Sequence, residues 1–375
     1  MPSVLPKKSQ GSDCSWRLLV LFGVATVCAA CGADSSPNAY ADNAGGGSGF
    51  AGGAAGWAGS AGAAGSAGAG GYAGEGGVAG QAGAPPGGSG GGDAGAGGTA
   101  NPPIPGPKVK FMTFNIRLGT ANDGPDSWPK RKSLVFDVFK NQDADFVGLQ
   151  EARLFQLQEI DKAIAGYKRV GIGRDGGKGG EFCAIYYRSA RFAVKNSDTF
   201  WLSGTPNKPA STSFGNQLPR IVTWGRFVEK SSGYGLYVYN THFDHISQNS
   251  REKSAALLMD VVAKRAPKDR FIVMGDLNAG EGNLVIKFLK GNAKIGGKNN
   301  PLPMLDTFRA VHPNETKVGT AHGFKGGTGG NKIDYVLAQG KKQNVLSASI
   351  DHYNVGGRYP SDHFPVVGKL ALPDQ

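Results

Sequence analysis

The stretch KVKFMTFNIR, Lys108 to Arg117, reads as a β-strand: side chains alternate over most of it, and it closes on the polar Asn115. Outward from it, WPKRKSLVFDVFKNQ (128–142) carries apolar residues at helical spacing, with Pro129 placed for a first turn. DFVGLQE is a short buried strand, and a second helix follows from about Leu154 to Ile164. EFCAIYYR, FAVKNSDTFWL, RIVTWGRFVE and GLYVYNTHF are strand-like. Ser247 to Arg265 reads as a helix, with Ala255, Leu258, Val261 and Val262 on one face. RFIVMGDLN, KIDYVLAQ, NVLSASI and HFPVVGKLAL complete the set.

About ten strands and four helices in roughly 265 residues fit one α/β domain. Consecutive hairpin-like strands argue against a purely parallel sheet. Two mixed sheets packed face to face, with helices outside, satisfy the count.

The strands share a habit: each runs apolar and stops on a carboxylate, amide or imidazole. Asn115 and Glu151 end the first two. His242 (in NTH), Asp276 and Asn278 (in GDLN) and Asp334 (in KIDY) end or interrupt later ones, and Asp362 and His363 precede the last. Gathered at one edge, such groups suit a hard dication, which takes oxygen ligands and keeps several waters. That ion can neutralise phosphate oxygens. Singly, each residue has an ordinary reading. Asn278 could cap a helix near Leu284, and Glu151 could be a solvated residue before Arg153. Asp334, inside an apolar run, needs a partner, and His363 would supply one.

In this order, TFNIR, LQE, NTH, GDLN, IDY and SDH resemble the endonuclease/exonuclease/phosphatase superfamily, over about Lys108 to Leu372. The resemblance implies the four-layer α/β sandwich of deoxyribonuclease I and metal-dependent phosphoester hydrolysis. It implies Asn115, Glu151 and Asp362 at a metal, Mg²⁺ with Mn²⁺ or Ca²⁺ as alternatives. It implies catalytic parts for His242, Asp276, Asn278, Asp334 and His363. Asp276 and His363 share the role of base, Asp334 orients His363, Asn278 holds the phosphate, and His242 contacts the phosphate or leaving group. THFDH adds Asp244 and His245, which shape substrate choice or, for Asp244, bond locally in a turn. Arg220 is expected at the substrate or in a surface ion pair.

The rest of the chain points to export. Lys7, Lys8 and Arg17 precede an apolar run, Leu18 to Ala30, too short for the roughly 20 residues of a span. Ala29 and Ala30 before Cys31 resemble a lipoprotein cleavage box, implying a signal peptide over 1–30 and a lipid on Cys31. Residues 41–106 hold 27 glycines in 66 positions, so 31–106 reads as a disordered spacer and 107–375 as the catalytic domain. The expected place is outside the cytoplasm, lipid-anchored to a bacterial outer membrane, or else secreted. Cys183, the one cysteine in 107–375, is expected to be a buried thiol.

Of 41 basic and 29 acidic residues, three and five fall in 1–106. That leaves 38 and 24 in 107–375, a balance of +14. With the KKQ, RYPSDH and GRDGGKGG loops, this favours an anionic partner. The first expectation is an extracytoplasmic nuclease or phosphodiesterase acting as a monomer without an obligate protein partner. An inositol- or lipid-phosphate phosphatase or phospholipase is second, and a non-catalytic surface-binding module is third.

Overall fold

A computed structural model describes residues 106–375. The expected signal peptide over 1–30, Cys31 and, apart from Gly106, the expected spacer lie outside the described residues. The elements run β1 (Lys108–Asn115), α1 (Trp128–Gln142), β2 (Phe146–Gln150), α2 (Leu154–Ala163), β3 (Tyr167–Val170), β4 (Ile185–Arg188), β5 (Phe192–Trp201), β6 (Ile221–Glu229), β7 (Gly235–His242), α3 (Gln248–Lys264), β8 (Arg270–Asp276), α4 (Leu284–Leu289), β9 (Lys294–Ile295), β10 (Lys298–Asn299), β11 (Leu305–Asp306), α5 (Thr307–Val311), β12 (Asp334–Ala338), β13 (Val345–Ile350) and β14 (Val366–Ala371). No helix among the described residues is long and apolar enough to cross a membrane.

Two six-stranded mixed sheets form, in the orders β13-β14-β1-β2-β4-β3 and β11-β12-β8-β7-β6-β5. Each has a parallel pair near its centre, β1 with β2 and β7 with β8. Parallel neighbours need a crossover, and α1 and α3 provide it. Antiparallel β14 and β12 flank these pairs. Gly106 N–H donates to Asp374 Oδ1, and Leu372 N–H donates to Pro107 O, so the domain's two ends lie together.

Three apolar layers hold the four structural layers. Val109, Phe111 and Phe146 meet Val238, Ile272, Met274 and Val336 between the sheets. Outside the first sheet, Val135, Val138 and Phe139 of α1 cover Met112, Phe114 and Val147. Outside the second, Leu258, Met259 and Val262 of α3 cover Tyr239, Phe271 and Val273.

Period-two alternation places the site. In β1 the odd positions face the other sheet, first Val109 and Phe111, then Thr113 and Asn115. The same face carries Gln150 in β2, Asn240 and His242 in β7, Asp276 in β8 and Asp334 in β12. The inter-sheet core therefore turns polar toward one end. Just behind that end, Gln150 Nε2 donates to Thr113 Oγ1 at 3.0 Å and to Asn240 Oδ1 at 2.6 Å. Asn240 Nδ2 donates to the carbonyls of Leu149 and Ala184, each at 2.9 Å.

Several boundaries differ from the sequence pattern. β3 was not anticipated, because Tyr-Lys-Arg-Val is a partly exposed edge strand without clean alternation. In EFCAIYYR the ladder begins only at Ile185; Phe182 makes isolated bridges to Ala152 and Gly173. The short β9–β10 hairpin and β11 lack the length to show a period.

Gly148 sits where the sheets approach. A Cβ there would lie 2.7 Å from the Asn240 amide and 2.8 Å from Met274 Cε. Gly148→Ala should therefore cost about 1–3 kcal/mol by overpacking, read as a lower urea midpoint with unchanged slope.

Candidate active site

The C-terminal ends of β1, β2, β7 and β8 and the starts of β12 and β14 coincide. His242 is in register with Asp276, and Asp276 with Asp334. Asn115 Nδ2 donates to Glu151 Oε1 and to Asp276 Oδ2, both at 3.0 Å. The other Asp276 oxygen accepts the Asn278 N–H at 2.9 Å. His363 Nδ1 lies 2.9 Å from Asp334 Oδ2 and 3.9 Å from Asp276 Oδ2, and His242 Nε2 lies 3.6 Å from the latter. Glu151 Oε2 accepts the Leu118 N–H at 2.9 Å, and Asp362 Oδ2 is 3.7 Å from Arg117 Nε.

Burial sets these groups apart. Asp276 is raised to about 7, by desolvation first and then by the charge of Asp334. Burial opposes a charge on His363, but Asp334, Asp276 and Asp362 outweigh it and push the imidazole well above its ordinary value. His242, buried beside Arg220, is pushed well below and stays neutral. Burial also works against the charge of Glu151, yet the Asn115 amide, His363 and Arg117 together hold it below the usual carboxylate range.

Two sets of atoms are candidates for a cation. One oxygen or nitrogen each from Asp276, Asp334 and His363 lie within 4.8 Å of one another. There the His363 nitrogen and an Asp334 oxygen already bond each other, and a hard ion would have to break that pair. Glu151 and Asp362 fit better. They are the carboxylates of the cluster that stay partly exposed, whereas Asp276 and Asp334 are buried. Asp362 is raised by burial and by the charge of Glu151, a repulsion a dication would relieve. An ion that retains water suits such half-open oxygens. Asn115 turns its nitrogen to the carboxylates, and its Oδ1 accepts the Arg117 N–H at 3.0 Å. It braces the acids, so the ligand oxygens on offer are those of Glu151 and Asp362.

The structure decides between the open readings of several residues. Asn278 is not a helix cap. Asn283 caps α4, through Val285 N–H, while Asn278 Nδ2 donates to Phe243 O at 3.1 Å and keeps one N–H free. Arg220 is not at the surface. It is 4% exposed, with Nε 3.4 Å from Asp244 Oδ1 and Nη2 2.8 Å from His245 Nδ1. Asp244, for which a substrate contact and a local turn bond were both open, makes the turn bond: its Oδ2 accepts the N–H groups of Ile246 and Ser247. Cys183 is a buried free thiol, pushed up to about 12 by burial.

Positive φ recurs here. Glu151 (58°), Asn278 (46°) and Arg117 (57°) are three of six such non-glycine residues described. Backbone held in this region costs energy and collects at functional sites.

Other residues that build the site carry no motif. Arg131, fully buried on α1, donates to the carbonyls of Ile116, Arg117, Asp126 and Pro360. It thus ties the end of β1 to the loop carrying Asp362 and His363. Burial lowers it to about 10, with Asp362 and Asp123 opposing. Ser361 Oγ donates to Asn115 O at 2.7 Å, and the N–H groups of His322 and Gly323 reach Asp362 O. Thr320 Oγ1 accepts from the Ile333 and Asp334 N–H groups.

The model of the endonuclease/exonuclease/phosphatase family matches residues 112–363. An endonuclease/exonuclease/phosphatase structure from Bacteroides vulgatus is 27% identical, with a TM-score of 0.61, covering 71% of this chain and 99% of that one. A mannosyl-6-phosphatase of Bacteroides thetaiotaomicron is 27% identical at a TM-score of 0.58, covering 70% and 100%. An uncharacterized protein of Acanthamoeba polyphaga mimivirus is 25% identical over 277 residues, 69% of this chain and 98% of that one.

Lysine cannot reproduce the fork that Arg131 spreads over four carbonyls. Arg131→Lys should cost about 1–3 kcal/mol of stability by stranding buried acceptors. In urea unfolding and in turnover, both stability and kcat should fall.

Proposed function

The chain belongs to the endonuclease/exonuclease/phosphatase family, and on that premise we propose that it is a divalent-metal-dependent phosphoester hydrolase. The observation that carries this is the meeting of Asn115, Glu151, Asp276, Asp334 and His363 across the two sheets. Glu151 and Asp362 would hold the cation, whose chemistry is to neutralise phosphate oxygens. Asp276, titrating at about 7, takes the proton of the attacking water. His363, with Nδ1 occupied by Asp334 and its charge favoured, clamps the phosphate through Nε2. The free N–H of Asn278 and neutral His242 donate to the phosphate or the departing oxygen.

The preferred substrate is a small phosphomonoester, a reading supported by the mannosyl-6-phosphatase at 27% identity. The balance of +14 in 107–375 supports a second reading, a nuclease or other phosphodiesterase, whose binding would weaken steeply with salt. The N-terminal residues support export and a lipid on Cys31, with the domain held outside the cytoplasm at the outer membrane.

Asp276→Asn and His363→Ala should each lower kcat at least about 100-fold on 4-nitrophenyl phosphate, as losing acid–base help does. Chelation by EDTA should abolish turnover and Mg²⁺ restore it; full activity in EDTA would refute the metal. Below about pH 7 the Asp276 carboxyl gains its proton, so kcat/KM should fall tenfold per pH unit on the acid side and level off above.

A further inference from the structure

Seven large apolar side chains among the described residues are exposed, and three of them gather around the N-terminus of α3. Ile246 is 66% exposed, Leu218 39% and Leu284 37%. The others, Phe155, Val311, Leu346 and Val355, stand on separate segments.

Polar bonds hold the three in place. Buried Asn216 accepts the Phe214 N–H at 3.2 Å and donates to Leu218 O at 2.8 Å. Asn249 of α3 donates to Phe214 O at 2.8 Å, so the 214–218 loop lies along the first turn of that helix. From the same turn, Gln248 exchanges hydrogen bonds of 3.1 and 2.9 Å with Asn283, and Leu284 begins α4 directly after it. Ile246 precedes the Ser247 cap, with its N–H held by Asp244. In a hydrophobic staple it would pack on the fourth residue of the helix, but that residue is Arg251. A local staple therefore does not account for an isoleucine here.

We propose that this patch, beside the catalytic mouth, docks onto an anionic lipid bilayer. Single apolar side chains on a surface are ordinary, whereas a cluster of them marks an interaction site. Charge names the partner. Segments 204–220 and 282–305 contain no Asp or Glu; the first holds Lys208 and Arg220, the second Lys287, Lys290, Lys294 and Lys298. Lys208, Lys253, Lys287, Lys294 and Lys298 are exposed, and none has a carboxylate partner among the described residues. Lys253 Nζ lies 5.6 Å from the Phe214 ring centroid. Lys287 follows Leu284 by three positions on α4, which puts both on one side of the helix. Aliphatic side chains with lysines around them suit the headgroup region: the apolar groups reach the acyl boundary and the ammonium groups meet lipid phosphates. A second copy of the chain would bring the same lysines face to face. A nucleic acid strand would want exposed aromatic faces for stacking, and the one aromatic ring here, Phe214, is half-buried.

The turn that carries Ile246 also reaches the catalytic cluster, because Asn278 donates to Phe243 O. Docking thus brings the mouth to the lipid surface. The inference does not depend on the phosphoesterase reading, since binding is measured without turnover.

Amide hydrogen exchange of the full-length protein tests it segment by segment, so that attachment through the N-terminal residues does not mask the result. Phosphatidylglycerol vesicles should protect 214–218 and 245–247, phosphatidylcholine vesicles should not, and 345–350 should stay unchanged with both. Ile246→Ser combined with Leu218→Ser should raise the phosphatidylglycerol concentration at half-protection by about 10-fold or more. Lys253→Gln combined with Lys287→Gln should raise it at low salt and by less at high salt. Both double variants should keep the wild-type urea midpoint. Unchanged exchange in the wild type with anionic vesicles, equal protection by phosphatidylcholine, or protection by an oligonucleotide in place of vesicles overturns the lipid surface. Protection that grows with protein concentration alone overturns it too, in favour of self-association. A protein that docks on vesicles and hydrolyses nothing keeps this inference and loses the phosphoesterase.

Discussion

Two hydrogen bonds between the sheets carry the site: Asn115 to Asp276 and His363 to Asp334. In each, one partner belongs to the first sheet or the loop entering it, and the other to the second. Neither pair exists unless the sheets lie in one register. Sheet packing by apolar side chains is strong but non-directional; it can tolerate small slips. The Gln150–Asn240 contact and the close approach at Gly148 add the direction that apolar packing lacks. Short-range polar bonding thus fixes a geometry that the larger hydrophobic term only permits.

The same arrangement keeps several charges in a confined space. Asp276 and Asp334 are buried side by side, and one imidazole lies against both. Burial of like charges forces one acid toward neutrality unless a cation intervenes. Here Asp334 and His363 form the ion pair, and Asp276 keeps a proton affinity near neutrality. Carboxylates of ordinary solution chemistry thereby acquire different roles through position alone. Arg131 performs a related task by holding four carbonyls without a carboxylate of its own.

Much of this was legible in the chain. Trp128–Gln142 matches the helical spacing residue for residue, and Ser247 to Arg265 differs from the observed α3 by one residue at each end. The polar strand ends could be found because each follows an apolar run whose alternation fixes its face. What escaped acts without such a pattern. Arg131 bonds only backbone carbonyls, so no motif marks it among the basic residues of WPKRK. Arg174 and Glu181 sit in a glycine-rich loop that read as a basic patch, until their pairing showed the charge to be internally balanced. Asp244 and Arg220 each left two readings open, substrate contact against a turn or a surface ion pair, and the fold makes them partners in a buried pair. Edge strands such as β3 left too little alternation to be seen.

The hydrogen bond from Gly106 to Asp374 has a further consequence. β1 begins beside that bond and ends at Asn115, and eight residues of strand span about 25 Å. The polypeptide therefore enters the domain at the pole opposite the catalytic mouth. The two ends of the domain are thereby paired at one pole, and contacts made there leave the opening at the other pole uncovered.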